Sequence, residues 1–345
     1  MDELLNSRNF DLSEAELFKP RIAVAGVGGG GNNTVQRLST LDVKGAQLFA
    51  FNTDNKQLQT LNPNIKKVAL GYAVTHGLGA GGFPEMGEKS AELSRNEIDI
   101  LLRDTNLLFL TAGMGGGTGT GAAPIVADIA KQNGAIVVGI VTIPFSLERS
   151  RLATAKKGIE RLRQSVDTLI VIDNQRLVNL YPNLQIEQAF KLADEITSRA
   201  VRGITEAITQ PSMVNIDYAD VRTIMQSGGL AVISVGSGQG ADRVSEVVRN
   251  TLKNKLLDVD YEGATGVLLH ITGGPDMTLG EANKIGEMLT ESVSPNASVT
   301  WGARLENDNQ GRVDVIAIFT GVSSPSIFSG SAGREQDSGI GIDRL

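Results

Sequence analysis

The run Gly115-Gly116-Gly117-Thr118-Gly119-Thr120-Gly121 lies between a strand-like apolar segment, NLLFLTAGM (106–114), and a helix-like one, AAPIVADIAKQ (122–132). Glycine lets the main chain take positive φ and approach an anion closely, and the following helix start offers free N–H groups. The run is therefore an anion nest, to which Thr118 and Thr120 would add hydroxyl donors. It is not a Walker A loop, because no lysine follows the glycines. A second unit of the same kind comes earlier. RIAVAGV (21–27) reads as a short buried strand, and Gly26, Gly28 and Gly31 satisfy G-x-G-x-x-G. Two nests at neighbouring strand ends can enclose a triphosphate from both sides. A dinucleotide site needs only one, with an acid near the end of the second strand, and Asp54 roughly supplies it.

The surrounding pattern gives these loops a scaffold. A helix is expected from Asn33 to about Ser39, a strand at QLFAFNTD (47–54), and a charged helix over about 88–103 after GLGAGGFPEMG (77–87). Strands follow at AIVVGIVTIP (135–144) and TLIVIDN (168–174), with an amphipathic helix between them. Strands alternating with helices predict a parallel sheet covered on both faces. From Leu184 to Thr209 the period changes, with Ile186, Phe190, Ala193, Ala200, Ile204 and Ala207 at helical spacing, so one long helix is expected before Pro211. Strands at 230–236, 266–272 and 312–321 and helices at 241–255 and 279–291 form a second α/β region.

The fold class expected is α/β. A Rossmann-like parallel-sheet domain (21–183) is joined by the central helix (184–210) to a smaller α/β domain (211–322). A polar arm (1–20) and a Ser-, Gly- and Pro-rich tail (323–345) flank them. A length of 345 residues agrees with two domains. The 40 glycines are clustered rather than periodic, which excludes a collagen-like chain.

A net charge of −7 gives no footprint for nucleic acid, so none is expected as a partner. Without cysteine there is no disulfide, thiol nucleophile or thiolate metal site, and two histidines cannot build a histidine-rich centre. The N-terminus lacks the features of a signal peptide, and no apolar run approaches the roughly 20 residues that span a bilayer. A cytoplasmic protein without direct membrane insertion is the expectation.

Over about residues 20–322 the chain resembles the FtsZ family, the prokaryotic tubulin relatives, and its archaeal members in particular. The resemblance rests on GVGGGGNN (26–33), NTD (52–54), GLGAG (77–81), AGMGGGTGTGAAP (112–124), TIPF (142–145) and NIDYADVR (215–222). It implies a GTPase of the cell-division ring, acting at mid-cell, that binds GTP and GDP with Mg²⁺ and polymerises head-to-tail.

The resemblance places Gly28, Gly29, Gly30, Asn33 and the run Gly115 to Gly121 at the phosphates, and counts Gly31, Ala80, Gly81, Gly113, Met114 and Pro144 among the nucleotide-binding residues. Asn52, Thr53 and Asp54 would reach the phosphates or their metal, and Glu148 and Arg151 would contact the ribose. Asn174, Phe190 and Asp194 would hold the guanine. Phe190 and Asp194 are i and i+4, so they share a helix face. Between Glu148 and Gly158 the chain is one residue shorter than the family pattern, which loosens the assignment of Arg151.

No acid within the glycine run could orient an attacking water. The resemblance implies that Asp217 and Asp220, with Asn215 nearby, come from the next subunit and complete the site. From the residues alone, Asp220 before VRTIM reads first as a helix cap, and the match to NIDYADVR reverses that. The terminal IGIDRL (340–345) resembles the family's adaptor peptide, which implies a SepF-like membrane adaptor. A dinucleotide oxidoreductase and a tubulin-like protein for cell shape or DNA partitioning are the alternatives.

Overall fold

A computed structural model describes residues 19–323 apart from 181, 182, 184, 211, 227, 254–260 and 262. Residues 1–18 of the expected arm, 324–345 of the expected tail and Pro211 lie outside the described residues.

Ten strands form one sheet: β1 (Ile22–Val27), β2 (Ala46–Asn52), β3 (Lys66–Ala69), β4 (Leu107–Gly113), β5 (Ile136–Ile143), β6 (Thr168–Asp173), β7 (Gly229–Gln239), β8 (Gly266–Gly273), β9 (Ser298–Leu305) and β10 (Arg312–Thr320). Their order is β3-β2-β1-β4-β5-β6-β7-β10-β8-β9. Pairing is parallel from β3 to β7, and β10 runs antiparallel between β7 and β8. β6 and β7 share only Thr168↔Gly229, Leu169↔Leu230 and Ile170↔Ala231, so the joint between the two halves of the sheet is narrow. β1, β4 and β5 are buried on both faces over nearly their whole length, as crossover helices require. Alternate residues feed two cores: Ala23, Ala25 and Val27 on one side, Ile22 and Val24 on the other.

The helices depart from expectation at their starts. The first runs Gly28–Thr40, five residues before Asn33, so the glycine loop is itself the first helical turn. The signature helix is Thr118–Gln132 and takes in the second half of the glycine run. The single charged helix expected over 88–103 is two, Pro84–Leu93 and Arg95–Leu102. They part at Ser94, whose hydroxyl accepts from Gly71 N–H at 3.0 Å. Strands β3 and β9 carry mixed burial at the two sheet edges, so neither shows a period in sequence.

The central helix, Ile186–Thr209, is about 36 Å long at 1.5 Å per residue. Near one end Asp194 meets Thr34, just past the C-terminal end of β1. At the other, the Thr209 hydroxyl reaches Lys44 O, just before β2 begins. The helix thus carries the chain from one edge of the parallel strands to the opposite edge. Beyond it Val214 bridges antiparallel to Ala303 of β9, and a short helix follows at Tyr218–Gln226.

Candidate functional site

β1, β4, β5 and β6 end at one edge, where a cleft of about 530 Å³ opens. Each strand's exit supplies part of its wall. Gly29, Gly30, Asn33 and Thr34 follow β1. Thr111, Ala112, Gly113, Met114, Gly116, Gly117, Thr118 and Gly119 belong to β4 and its loop. Thr142, Pro144, Glu148 and Arg151 come from the end of β5 and beyond, Asn174 follows β6, and Asp194 comes from the central helix.

Two helix N-termini converge here. The first N–H groups of a helix have no partner within it, and they carry the positive end of its dipole. Gly28, at φ +72°, abuts the signature helix: a Cβ there would lie 2.7 Å from Gly119 N. Gly29 and Gly116 face open space, with no heavy atom closer than 3.9 Å to an added Cβ. The other glycines are held against backbone. A Cβ on Gly119 would lie 2.5 Å from Gly113 O, and on Gly31 or Gly121 it would strike the carbonyl of Thr111 or Pro84. The glycine-rich segments therefore combine two requirements, an open anion face and close packing of the elements behind it.

Several expected site residues sit one layer back from the cleft. Thr53 is one of them, its hydroxyl bonded at 2.7 Å to that of Thr118 in the cleft wall. Thr120 turns away from the cleft and accepts from Gly115 N–H at 2.9 Å, so it closes the loop instead of lining the cleft. Asp54 caps the helix Asn55–Gln59 by accepting from Gln57 N–H at 3.0 Å. Asn52 donates to Gln57 Oε1 at 2.5 Å, Asn32 donates to the same oxygen at 3.1 Å, and Gln57 Nε2 donates to Gly29 O at 3.3 Å. Gln57 thereby braces the first glycine loop, a role with no signal in the sequence reading. Ala80 packs against Gly117, and neither Ala80 nor Gly81 lines the cleft.

On the rim, Glu148 accepts from Phe145 N–H at 3.2 Å and from Arg151 Nη1 at 2.5 Å. The helix Arg149–Ser165 starts directly after Glu148, so the shortened segment still brings Arg151 to the cleft. Asn174 is buried with its Oδ1 unpartnered. The side chain of Phe190 lies outside the described residues.

Asp194 accepts from the Thr34 hydroxyl at 3.0 Å. Burial outweighs that bond and the distant Arg37, and pushes its carboxyl up to about 6. A raised acid favours the folded state while it keeps its proton. That stability is complete below the ordinary carboxylate range and is lost as pH rises through about 6. Asp194→Asn should therefore raise the free energy of urea unfolding of the nucleotide-free chain at pH 7.5 by about 2 kcal/mol, seen as a higher midpoint. An unchanged midpoint would contradict the desolvated carboxylate.

Asn215, Asp217 and Asp220 are nowhere near this cleft. They follow the central helix to the other edge of the sheet, where Tyr218 donates to Asn106 O, just before β4, at 2.9 Å. Asn215 accepts from Ser212 N–H at 2.8 Å. The capping role belongs to Asp217, which accepts from Asp220 N–H at 2.7 Å. Asp220 is exposed, and its carboxylate has no partner among the described residues. Thr34, Thr111, Ala112 and Thr142 complete the cleft wall and carry no distinguishing sequence signal. No group of three or more His, Asp or Glu able to hold a metal occurs among the described residues. Nor is any described helix long and apolar enough to cross a membrane.

Comparison with known proteins places the two halves of the chain together. Residues 21–182 match the GTPase domain of the Tubulin/FtsZ family, and residues 229–323 match the FtsZ family C-terminal domain. A cell division protein FtsZ 2 of Methanocaldococcus jannaschii is 52% identical over 94% of this chain and 86% of its own length. A cell division protein FtsZ 2 of Haloferax volcanii is 49% identical over 94% of this chain and 81% of its own length. An empty FtsZ dimer from M. jannaschii superposes with a TM-score of 0.85 at 43% identity, covering 90% of each chain. CetZ1 from H. volcanii, at 22% identity and a TM-score of 0.77 over 89% of this chain and 96% of its own, shares the fold.

Proposed function

Because this chain belongs to the FtsZ family, we propose that it binds GTP in the cleft and hydrolyses it once a second copy docks head-to-tail. The observation that carries this reading is the separation of the two half-sites. The anion cradle lies at the C-terminal edge of the parallel strands, and the unpartnered Asp220 lies at the opposite edge of the same chain. No single copy can bring them together, whereas stacking copies end to end sets each Asp220 against the next cleft. Such a heterologous contact does not close on itself and yields a filament.

The chain's groups fit a guanine nucleotide. The N–H groups of Gly29 and Gly116, the two glycines that face open space, suit phosphate oxygens, and Thr118 lies in the same wall. Asn174 Oδ1, buried and unpartnered, can accept from a base N–H. Asp194, once ionised, can accept from two neighbouring base donors, a pattern that guanine presents and adenine lacks. Phosphoryl transfer needs charge neutralisation, alignment and an oriented water. The cradle supplies the first two. Asp220 of the second copy, with Asp217 beside it, orients the water. Mg²⁺ would be held by phosphate oxygens and its own waters.

A dinucleotide oxidoreductase would leave the second glycine loop without a use. The cellular reading is a cytoplasmic filament that forms the cell-division ring at mid-cell. A SepF-like adaptor would engage residues 340–345, which lie outside the described residues. Sedimentation with GTP and with GDP tests the proposal. Polymer should pellet with GTP and stay soluble with GDP, and equal pelleting with both would reject it.

A further inference from the structure

The central helix meets the C-terminal strands along a seam that the nucleotide cleft does not use. A cavity of about 370 Å³ lies in it, walled by the helix on one side and by β7, β8 and β10 on the other. His270 of β8 lines this cavity and is 5% exposed. Its ring is pressed against Gly203 of the central helix, where an added Cβ would lie 3.2 Å from Cδ2. Nε2 sits 3.3 Å from the Thr272 hydroxyl, and Nδ1 is buried with no partner.

The charged groups around the ring are already engaged. From the central helix, Glu206 takes Arg202 at 2.9 Å and Arg304 of β9 at 2.5 Å, and Glu195 takes Arg199 at 2.5 Å. From β10, Asp314 takes Arg312 at 2.8 Å, and Glu306, just after β9, lies 3.8 Å from Arg304. None of these acids bonds to the imidazole.

We propose that His270 is a proton-sensitive joint: protonation parts the central helix from the C-terminal strands while each half keeps its own fold. A second proton on the ring would place a cation in the seam beside Arg304, with the Thr272 hydroxyl its one hydrogen-bond neighbour among the described residues and no carboxylate bonded to it. Burial, then Arg304, hold the ring down to about 4, and Glu206 pulls the other way. The sign follows from linkage. A base held below its ordinary value stabilises the closed seam fully above about pH 6.5. That contribution is lost as pH falls toward 4. The ratio of open to closed seam should rise on the order of 100-fold across that window. On the proposed function, the same helix carries Asp194 to one half-site and leads to Asp217 and Asp220 at the other, so an open seam would misalign them.

The composition makes the test clean, because the chain has one tryptophan and two histidines. Trp301 lies in β9 next to Gly302, the register partner of His270. His76 is exposed and serves as an internal reference. Tryptophan emission, far-ultraviolet circular dichroism and histidine ring NMR would be followed from pH 7.5 to 3.5 without nucleotide, so the outcome does not depend on GTPase activity. Trp301 emission should shift between pH 6.5 and 4 while the dichroism holds, and His270→Gln should move that shift down by about one pH unit or more. An unmoved midpoint in His270→Gln would overturn the proposal. So would emission that changes only together with the dichroism. If the variant does not fold, the parent's NMR decides. A His270 ring that titrates while Trp301 stays unperturbed rejects the joint, whereas titration that tracks the Trp301 shift supports it.

Discussion

Asp220→Ala is expected to bind GTP as tightly as the parent chain and to hydrolyse it at least ~100-fold more slowly at high protein concentration. The expectation follows from what Asp220 does not do. Its carboxylate is exposed and makes no bond within the described residues, so removing it costs the fold little. It is far from the cleft of its own chain, so GTP affinity should not change. Asp217 differs, because its side chain caps the helix Tyr218–Gln226. Asp217→Ala should lose about 1 kcal/mol of stability along with turnover, whereas Asp217→Asn keeps a cap and isolates the chemistry. Equilibrium GTP binding, phosphate release and urea unfolding separate these cases. Normal hydrolysis by Asp220→Ala would remove the proposed role.

Gly121→Ala is expected to cost the fold about 3 kcal/mol or more, and Gly116→Ala less than about 0.5 kcal/mol. The two residues belong to one glycine run and differ in what surrounds them. An added Cβ at Gly121 meets the Pro84 carbonyl and lies 2.7 Å from Glu88 N. Both are backbone atoms of the helix Pro84–Leu93, so relief requires the two helices to separate. At Gly116 the nearest atom is 3.9 Å away at the end of Arg151. Urea midpoints would show the contrast. Similar losses at both positions would mean that the run acts only as a flexible loop.

These variants also bear on what the sequence made legible. The paired glycine loops, the parallel strands and the long central helix all carried strong local signals, namely buried apolar runs, turn residues and a change of period. What stayed hidden was decided by tertiary contact. Glycine's poor helix propensity argued against helices starting at Gly28 and Thr118, but helix–helix and helix–strand packing overrides it there. β3 and β9 are edge strands with mixed burial, so no period marks them. Within the site, Asp54 and Thr120 have the chemistry to face an anion and turn instead to Gln57 and Gly115. Thr34 and Gln57 look ordinary in sequence and gain their roles from partners 160 and 25 residues away, Asp194 and Asn32. The assignment of caps likewise needed geometry, since Asp217 and Asp220 are equally good capping residues by type.

The central claim is that one chain holds two halves of a site that only a neighbour can join. GTP turnover per chain, measured across a hundredfold range of protein concentration at saturating GTP, tests it most directly. The rate per chain should be near zero at the dilute end and climb steeply as copies associate. A rate per chain that is already maximal when dilute and stays flat throughout would contradict it.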